Sequence, residues 1–110
     1  MFVKAPIIDN EVTLRAQLEQ VTEECCELGQ ACMKLVRAIG NGNPCDIPPC
    51  LATDKVVEEM SDTMVAIEFL IKKMQEYKLV DYDIYSRIDS IAGNKVVRWA
   101  KRLEDDNEKA

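Results

Sequence analysis

The chain has 110 residues, a formal net charge of −6 and no histidine. This length predicts one domain over residues 1–110, with a short N-terminal extension over about 1–9 and a charged tail over about 104–110. Binding to a phosphate backbone needs clustered Lys and Arg over a broad face, so the acidic balance argues against a nucleic-acid partner.

The first predicted helix spans about residues 11–39, and its apolar residues recur at alternating intervals of four and three. Such spacing is typical of a helix face that packs against a partner. Asp9 or Asn10 is the predicted N-cap, and the segment from Gly40 to Pro44 is predicted to end the helix. The apolar positions are Leu14, Leu18, Val21, Cys25, Leu28, Cys32, Leu35 and Ile39.

A loop of about a dozen residues follows, and Pro44, Pro48 and Pro49 predict that it is not helical. The second helix is predicted to start near Thr53 or Asp54 and to run to about residue 77. Apolar residues along one of its sides predict a second packed face. These residues are Val56, Met60, Met64, Ile67, Ile71 and Met74.

The third helix is predicted to start near Asp81 or Asp83 and to reach about residue 103, with Gly93 and Asn94 as candidates for a break. No segment alternates in the manner of a strand, so the predicted fold class is all-α. One subunit is too small to cover three extended apolar faces. We therefore predict an antiparallel helical bundle whose four-helix packing is completed by homo-oligomerisation.

The compartment is predicted from apolar runs and from cysteines. No apolar run reaches the length that spans a bilayer, and the first residues lack the long apolar core of a secretory signal. Most of the five cysteines lie in helical sequence, which favours free thiols in a reducing compartment over disulfides. The sequence predicts a cytoplasmic protein with no membrane partner.

Two acidic clusters lie on the first two predicted helices. One is Glu23, Glu24 and Glu27 in TEECCELGQ, and the other is Glu59 and Asp62 in VEEMSDTM. Carboxylates three residues apart share a helix face, so each helix presents a pair at the edge of its packed side. If the helices pack together, four carboxylates meet in one volume and their repulsion favours a bound cation. Oxygen ligands suit Mg²⁺, with Mn²⁺ as a substitute.

The alternative is that both pairs are solvated helix faces, since a like-charge neighbour on a helix costs only ~0.2–0.5 kcal/mol. Either pair alone is better explained in this way. The metal site is favoured because both pairs have the same spacing and lie on helices that a single loop connects.

A basic stripe follows on the third helix. Lys95, Arg98 and Arg102 lie at positions i, i+3 and i+7, which suits the outer phosphates of a triphosphate. A solvated helix face explains these residues equally well, because positive side chains interact favourably with the negative C-terminal end of the helix dipole. Trp99 can stack on a base, although an aromatic residue in an amphipathic helix is more often part of the core.

The order of the acidic residues resembles the EExxE and ExxD motifs of the MazG-like all-α nucleoside triphosphate pyrophosphohydrolases, whose relatives include dimeric dUTPases, dCTP pyrophosphatases and phosphoribosyl-ATP pyrophosphohydrolases. The resemblance covers about residues 17–74, with a longer separation between the motifs than compact members have. It implies Mg²⁺-dependent hydrolysis of an NTP or dNTP to the monophosphate and pyrophosphate, for nucleotide-pool house-cleaning. It implies Glu24, Glu27, Glu59 and Asp62 as metal ligands. Glu23 is a candidate for orienting the water.

Two functions therefore stay open. One is the nucleotide pyrophosphohydrolase, with a nucleoside triphosphate as substrate. The other is a non-catalytic helical module for homo-oligomerisation or partner binding, in which the acids only keep the surface hydrated. Both imply a homo-oligomer, and the resemblance implies a dimer or a dimer of dimers.

Overall fold

The computed structural model describes residue 8 and residues 11–40 and 47–109. These residues form helix α1 (Leu14–Ala38), helix α2 (Pro49–Glu76) and helix α3 (Ile84–Lys109), and no strand occurs among them. The all-α prediction is confirmed for the described part of the chain. None of its helices combines the length and the apolar character that crossing a membrane requires.

Helix α1 begins three residues later than predicted because Thr13 is its N-cap. The Thr13 hydroxyl accepts a hydrogen bond from the Ala16 N–H at 3.1 Å, which satisfies one of the free donors at a helix start. The predicted caps Asp9 and Asn10 lie outside the described residues. At the other end Gly40 has φ +92°, a left-handed conformation that favours glycine, and the predicted end of the helix is confirmed.

Helix α2 begins at Pro49, so the prediction of a start near Thr53 was wrong. Pro49 lies in the first turn, where the N–H that proline lacks would have no partner in the helix. Pro48 precedes it with extended backbone, at φ −59° and ψ 145°. Two adjacent prolines therefore start this helix.

Helix α3 starts where Asp83 caps it, as predicted. The Asp83 carboxylate accepts from the Tyr85 N–H at 3.0 Å and from the Ser86 hydroxyl at 3.2 Å. The helix continues through Gly93 and Asn94 to Lys109, so these residues do not break it and residues 104–109 are helical. A single glycine costs only ~1 kcal/mol relative to alanine, which a helix of this length tolerates.

The chain divides into two compact units, one ending at Tyr77 and the other starting at Lys78. The first unit contains α1 and α2, and the second contains α3. In the first unit the early part of α1 contacts the late part of α2, since Gln17 and Phe69 line the same cavity. The late part of α1 contacts the early part of α2, and Lys34 and Lys55 line another cavity.

The face of α2 that is buried consists largely of small and polar residues. On α1 the buried residues are Gln17 and Ala31. Small side chains let two helices approach closely, so longer apolar residues are left on the outer faces. The buried positions of α2, in chain order, are Ala52, Val56, Glu59, Thr63, Ala66, Phe69, Ile71 and Lys73.

Much of the predicted apolar face is consequently exposed in the single chain. On α1 this applies to Leu18, Cys25 and Cys32, and it also applies to Ile39 directly after the helix. On α2, Val56 and Ile71 are buried as predicted for a packed face. The remaining members are half-buried or exposed, with Met60 and Met64 each 48% exposed. The pair of helices presents an apolar surface that its own contacts do not cover.

Candidate metal centre

Glu59 is a buried carboxylate in the contact between α1 and α2. Only 4% of the residue is exposed, because it falls on the inner stripe of α2 between Val56 and Thr63 rather than at its edge. Its Oε1 accepts an ion-paired hydrogen bond from the Lys55 ammonium at 2.9 Å. Its Oε2 is buried and accepts no hydrogen bond from the described residues. One carboxylate oxygen is therefore available to a cation.

Glu24 presents a similar oxygen from α1. Its Oε1 accepts from the Gln20 amide at 2.7 Å, whereas its Oε2 is buried without a hydrogen-bond partner in the described part of the chain. A buried acceptor that lacks a partner costs about 1–3 kcal/mol. Two such oxygens on facing helices indicate a site where a positive ligand is expected.

Glu27 completes a group of three carboxylates. Glu24, Glu27 and Glu59 each offer one oxygen, and these oxygens lie within 4.8 Å of one another. The negative charges of Glu24 and then of Glu59 raise the pKa of the Glu27 carboxyl above its usual value. An all-oxygen donor set fits Mg²⁺ or Mn²⁺, and thiol or imidazole ligands are not part of it.

A second group shares Glu59 with the first. It consists of Glu58, Glu59 and Asp62, whose oxygens satisfy the same distance limit. The predicted ligands therefore fall into two groups, and Asp62 belongs to the one that Glu58 completes. Sequence reasoning missed Glu58, although its position four residues before Asp62 on a helix was a usable signal. Glu23 is exposed and belongs to neither group.

Thr63 connects the backbones that carry Glu24 and Glu59. Its buried hydroxyl lies 2.8 Å from the Glu59 carbonyl oxygen in its own helix and 3.2 Å from the Glu24 carbonyl oxygen in α1. The first contact is the usual bond from a helical threonine to the preceding turn. The second crosses between the helices at the level of the acids, so Thr63 fixes the distance between them.

A polar cavity of about 300 Å³ opens on one side of the carboxylates. Lys34 from α1 and Lys55 from α2 line it, together with Glu27, Glu59 and Gln30. The hydrogen bond to Glu59, followed by the charge of Glu58, raises the pKa of the Lys55 ammonium. Lys55 was not predicted, although a lysine four residues before a helical glutamate is a recognisable pair.

A second, apolar cavity of about 400 Å³ has Glu24 and Asp62 in its lining. Val12, Val65 and Phe69 provide apolar walls. The sequence did not predict this cavity, because its walls come from segments far apart in the chain.

The predicted basic stripe lies on α3, in the second unit. Lys95, Arg98 and Arg102 are exposed and line one open hollow of about 610 Å³ together with Trp99. Trp99 is 60% exposed, so it is not a core residue of this chain. The structure thus confirms that the three cations share a helix face.

Comparisons with protein-family models, with curated proteins and with solved structures found no match to this chain. The function is therefore inferred from the site itself.

Proposed function

We propose that this protein is a Mg²⁺-dependent nucleoside triphosphate pyrophosphohydrolase that converts an NTP or dNTP to the monophosphate and pyrophosphate. The observation that carries the proposal is the pair of buried, unpartnered oxygens of Glu24 and Glu59 within a three-carboxylate group. A solvated acidic face leaves no carboxylate oxygen buried without a partner. The type of reaction is inferred from the order of the acids, which resembles the MazG-like motifs.

In this proposal Glu24, Glu27 and Glu59 hold Mg²⁺. Asp62 provides a further carboxylate from the second group, which shares Glu59 with the first. The ion supplies neutralisation of the phosphate charge, which phosphoryl transfer requires more than a protein nucleophile. The cavity that Lys34 and Lys55 line is suited to phosphate oxygens, because two ammonium groups border it beside the carboxylates.

The reaction needs a water molecule aligned with the α-phosphorus. Its oxygen forms the new bond to phosphorus while the bond to the bridging oxygen breaks, so pyrophosphate leaves and a proton passes to solvent. Positioning is the main contribution of the chain. The water-orienting role of Glu23 and the phosphate contacts of Lys95, Arg98 and Arg102 stay predictions.

Homo-oligomerisation is part of the same proposal. It is supported by the exposed apolar residues on the outer faces of α1 and α2, including Leu18, Met33, Val57 and Met64. Many exposed large apolar side chains on one pair of helices favour an interface. A second copy of the chain would complete four-helix packing, as a dimer or a dimer of dimers. The same surface also favours the rival function, a helical module without catalysis.

The deciding experiment is a screen of the common NTPs and dNTPs with Mg²⁺, with products separated by anion-exchange chromatography. We expect a monophosphate and pyrophosphate, with ¹⁸O from labelled water in the monophosphate. Orthophosphate and a diphosphate as first products would exclude this reaction. An oligomer that binds neither Mn²⁺ nor any nucleotide would establish the rival module instead.

A further inference from the structure

One cation is already part of the carboxylate centre, namely the ammonium group of Lys55. Its Nζ lies 2.9 Å from the Glu59 Oε1 and 3.6 Å from the Glu58 Oε1. Glu59 belongs to both carboxylate groups, and Glu58 belongs to the second. Lys55 also lines the polar cavity together with Glu27, a member of the first group. The ammonium therefore lies where the two groups share a carboxylate.

The ion pair between Lys55 and Glu59 differs from an ordinary surface pair. Charged neighbours four residues apart on a helix usually contribute little when both are exposed. Here the side chain of Lys55 is 53% exposed, whereas that of Glu59 is only 5% exposed. A buried carboxylate that loses its positive partner is strongly destabilising. The metal-free centre therefore needs this ammonium more than an exposed acid would.

A divalent cation on Glu59 would lie close to the same ammonium. The buried Oε2 of Glu59, which has no hydrogen-bond partner in the described part of the chain, belongs to the same carboxylate as the Oε1 that Lys55 contacts. Two cations on one partly buried carboxylate repel each other. Glu59 is held in the contact between α1 and α2, while the half-exposed side chain of Lys55 is free to turn towards water. The lysine is therefore the cation that moves.

We propose that Lys55 is a built-in counter-ion of the carboxylate centre, which neutralises Glu58 and Glu59 in the metal-free protein and is displaced when a divalent cation binds. Lys55 thereby competes with the metal and sets the cation concentration at which the site fills. The inference rests on the proposed function and deepens it, because it concerns the regulation of the same metal site. This role is separate from a contact with phosphate, since it operates before any nucleotide binds.

The first test measures Mn²⁺ affinity by calorimetry in Lys55→Met and in Lys55→Arg, with no nucleotide present. We expect Lys55→Met to bind Mn²⁺ about 10-fold more tightly than the parent, because a positive charge beside the dication has been removed. Lys55→Arg keeps a cation that pairs with Glu59 and should not tighten binding. Unchanged affinity in Lys55→Met would overturn the inference. Weaker affinity would overturn it as well, because a lysine that orients Glu59 for the metal gives that result.

Two control variants separate direct competition from a general effect of charge. Lys34→Met removes a cation from the same cavity but leaves the partner of Glu59 in place, and we expect a change of less than about 3-fold through the screening solvent. Arg15→Met breaks an exposed 2.8 Å pair with Glu19 and should behave as the parent. Equal tightening in Lys34→Met and Lys55→Met would assign the effect to net charge and overturn the inference.

The second test follows the displacement itself in the parent protein. The probe is the NMR order parameter of the Lys55 side-chain Cε, with its signal assigned by its absence in Lys55→Arg. We expect Lys55 to be more mobile in MgCl₂ than in EDTA, and the corresponding signal of Lys34 to change little. A Lys55 side chain that is equally ordered in both conditions would overturn the displacement.

Failure of the inference and failure of the function are distinguishable. A parent that binds Mn²⁺ and hydrolyses a nucleotide, with Mn²⁺ affinity that Lys55→Met does not tighten, would refute the counter-ion alone. Tighter Mn²⁺ binding in Lys55→Met, in a protein that hydrolyses no nucleotide, would support the counter-ion and refute the proposed function. A parent that binds no divalent cation would refute both.

Discussion

The acidic centre and the basic stripe are built in different ways. Glu24 and Glu59 are 35 positions apart in the sequence numbering and come together only because α1 and α2 pack. Lys95, Arg98 and Arg102 share a face as soon as α3 is helical. Buried oxygens without partners occur in the first region, whereas every member of the second is exposed. A site formed between two helices can hold like charges close together, because favourable packing elsewhere in the helix pair compensates for their repulsion.

The largest effect is expected from Glu59→Gln, because Glu59 belongs to both carboxylate groups. We expect Mn²⁺ affinity and Mg²⁺-dependent turnover to fall more than about 100-fold, beyond the loss that removing an outer partner of a ligand causes. Calorimetry and product analysis measure the two quantities. Glu19→Gln, an exposed acid of α1, is the control. Near-parental values in Glu59→Gln would eliminate the metal site.

The basic stripe is tested by Arg98→Ala and Arg102→Ala. We expect kcat/KM to fall by about one to two decades for every accepted nucleotide, since a charge-assisted contact to phosphate is worth ~1.5–3 kcal/mol. Lys109→Ala, at the end of the same helix, should have no effect. Unchanged kinetics would assign the stripe to a solvated face, and a loss limited to one base would assign it to base recognition.

Thr63→Val tests whether the link between the helices positions the acids. The variant keeps the shape of the side chain but removes the hydroxyl that contacts the Glu24 and Glu59 carbonyls. We expect Mn²⁺ affinity to fall about 10-fold, and Thr63→Ser to restore it. Thr53→Val removes a comparable 2.8 Å bond to the Pro49 carbonyl at an exposed position and should leave affinity unchanged. Equal behaviour of the two valine variants would contradict the positioning role.

The smallest effect concerns Glu27 in the absence of metal. Glu24 and then Glu59 raise the pKa of Glu27 in the folded chain, so the folded state binds a proton there more readily than the unfolded state. The resulting stabilisation is present at low pH and is lost as pH rises through the folded-state pKa. We expect Glu27→Gln to raise Tm slightly at pH 7 in EDTA and to reduce the further rise that Mg²⁺ produces.

Thermal melts at several pH values, with and without Mg²⁺, measure the change in Tm that Glu27→Gln causes. Glu19→Gln is again the control, because Glu19 is paired with Arg15 at 2.8 Å and is not part of the carboxylate groups. A lower Tm for metal-free Glu27→Gln at pH 7 would contradict electrostatic repulsion among the three carboxylates.

Local sequence patterns predicted the helices and the acids but not which face of each helix is buried. Alternating apolar residues indicated Met60 and Met64 as packed, yet both are exposed while Glu59 and Thr63 are buried. Hydrophobic spacing identifies an apolar stripe. It does not identify which neighbour covers that stripe, and small residues such as Ala52 and Ala66 carry little hydrophobic signal even though they permit close helix contact.

The sequence by itself determined the all-α class, the end of α1 at Gly40 and the cap of α3 at Asp83, and it predicted three of the carboxylates that come together. These features depend on interactions within a few residues, namely caps, helix periodicity and i, i+3 neighbours. Only the tertiary structure decided that Glu24 of α1 meets Glu59 of α2, and that Glu59 and Thr63 rather than Met60 and Met64 are buried. Those contacts join residues on different helices or depend on which face is buried, and both follow from packing rather than from local spacing.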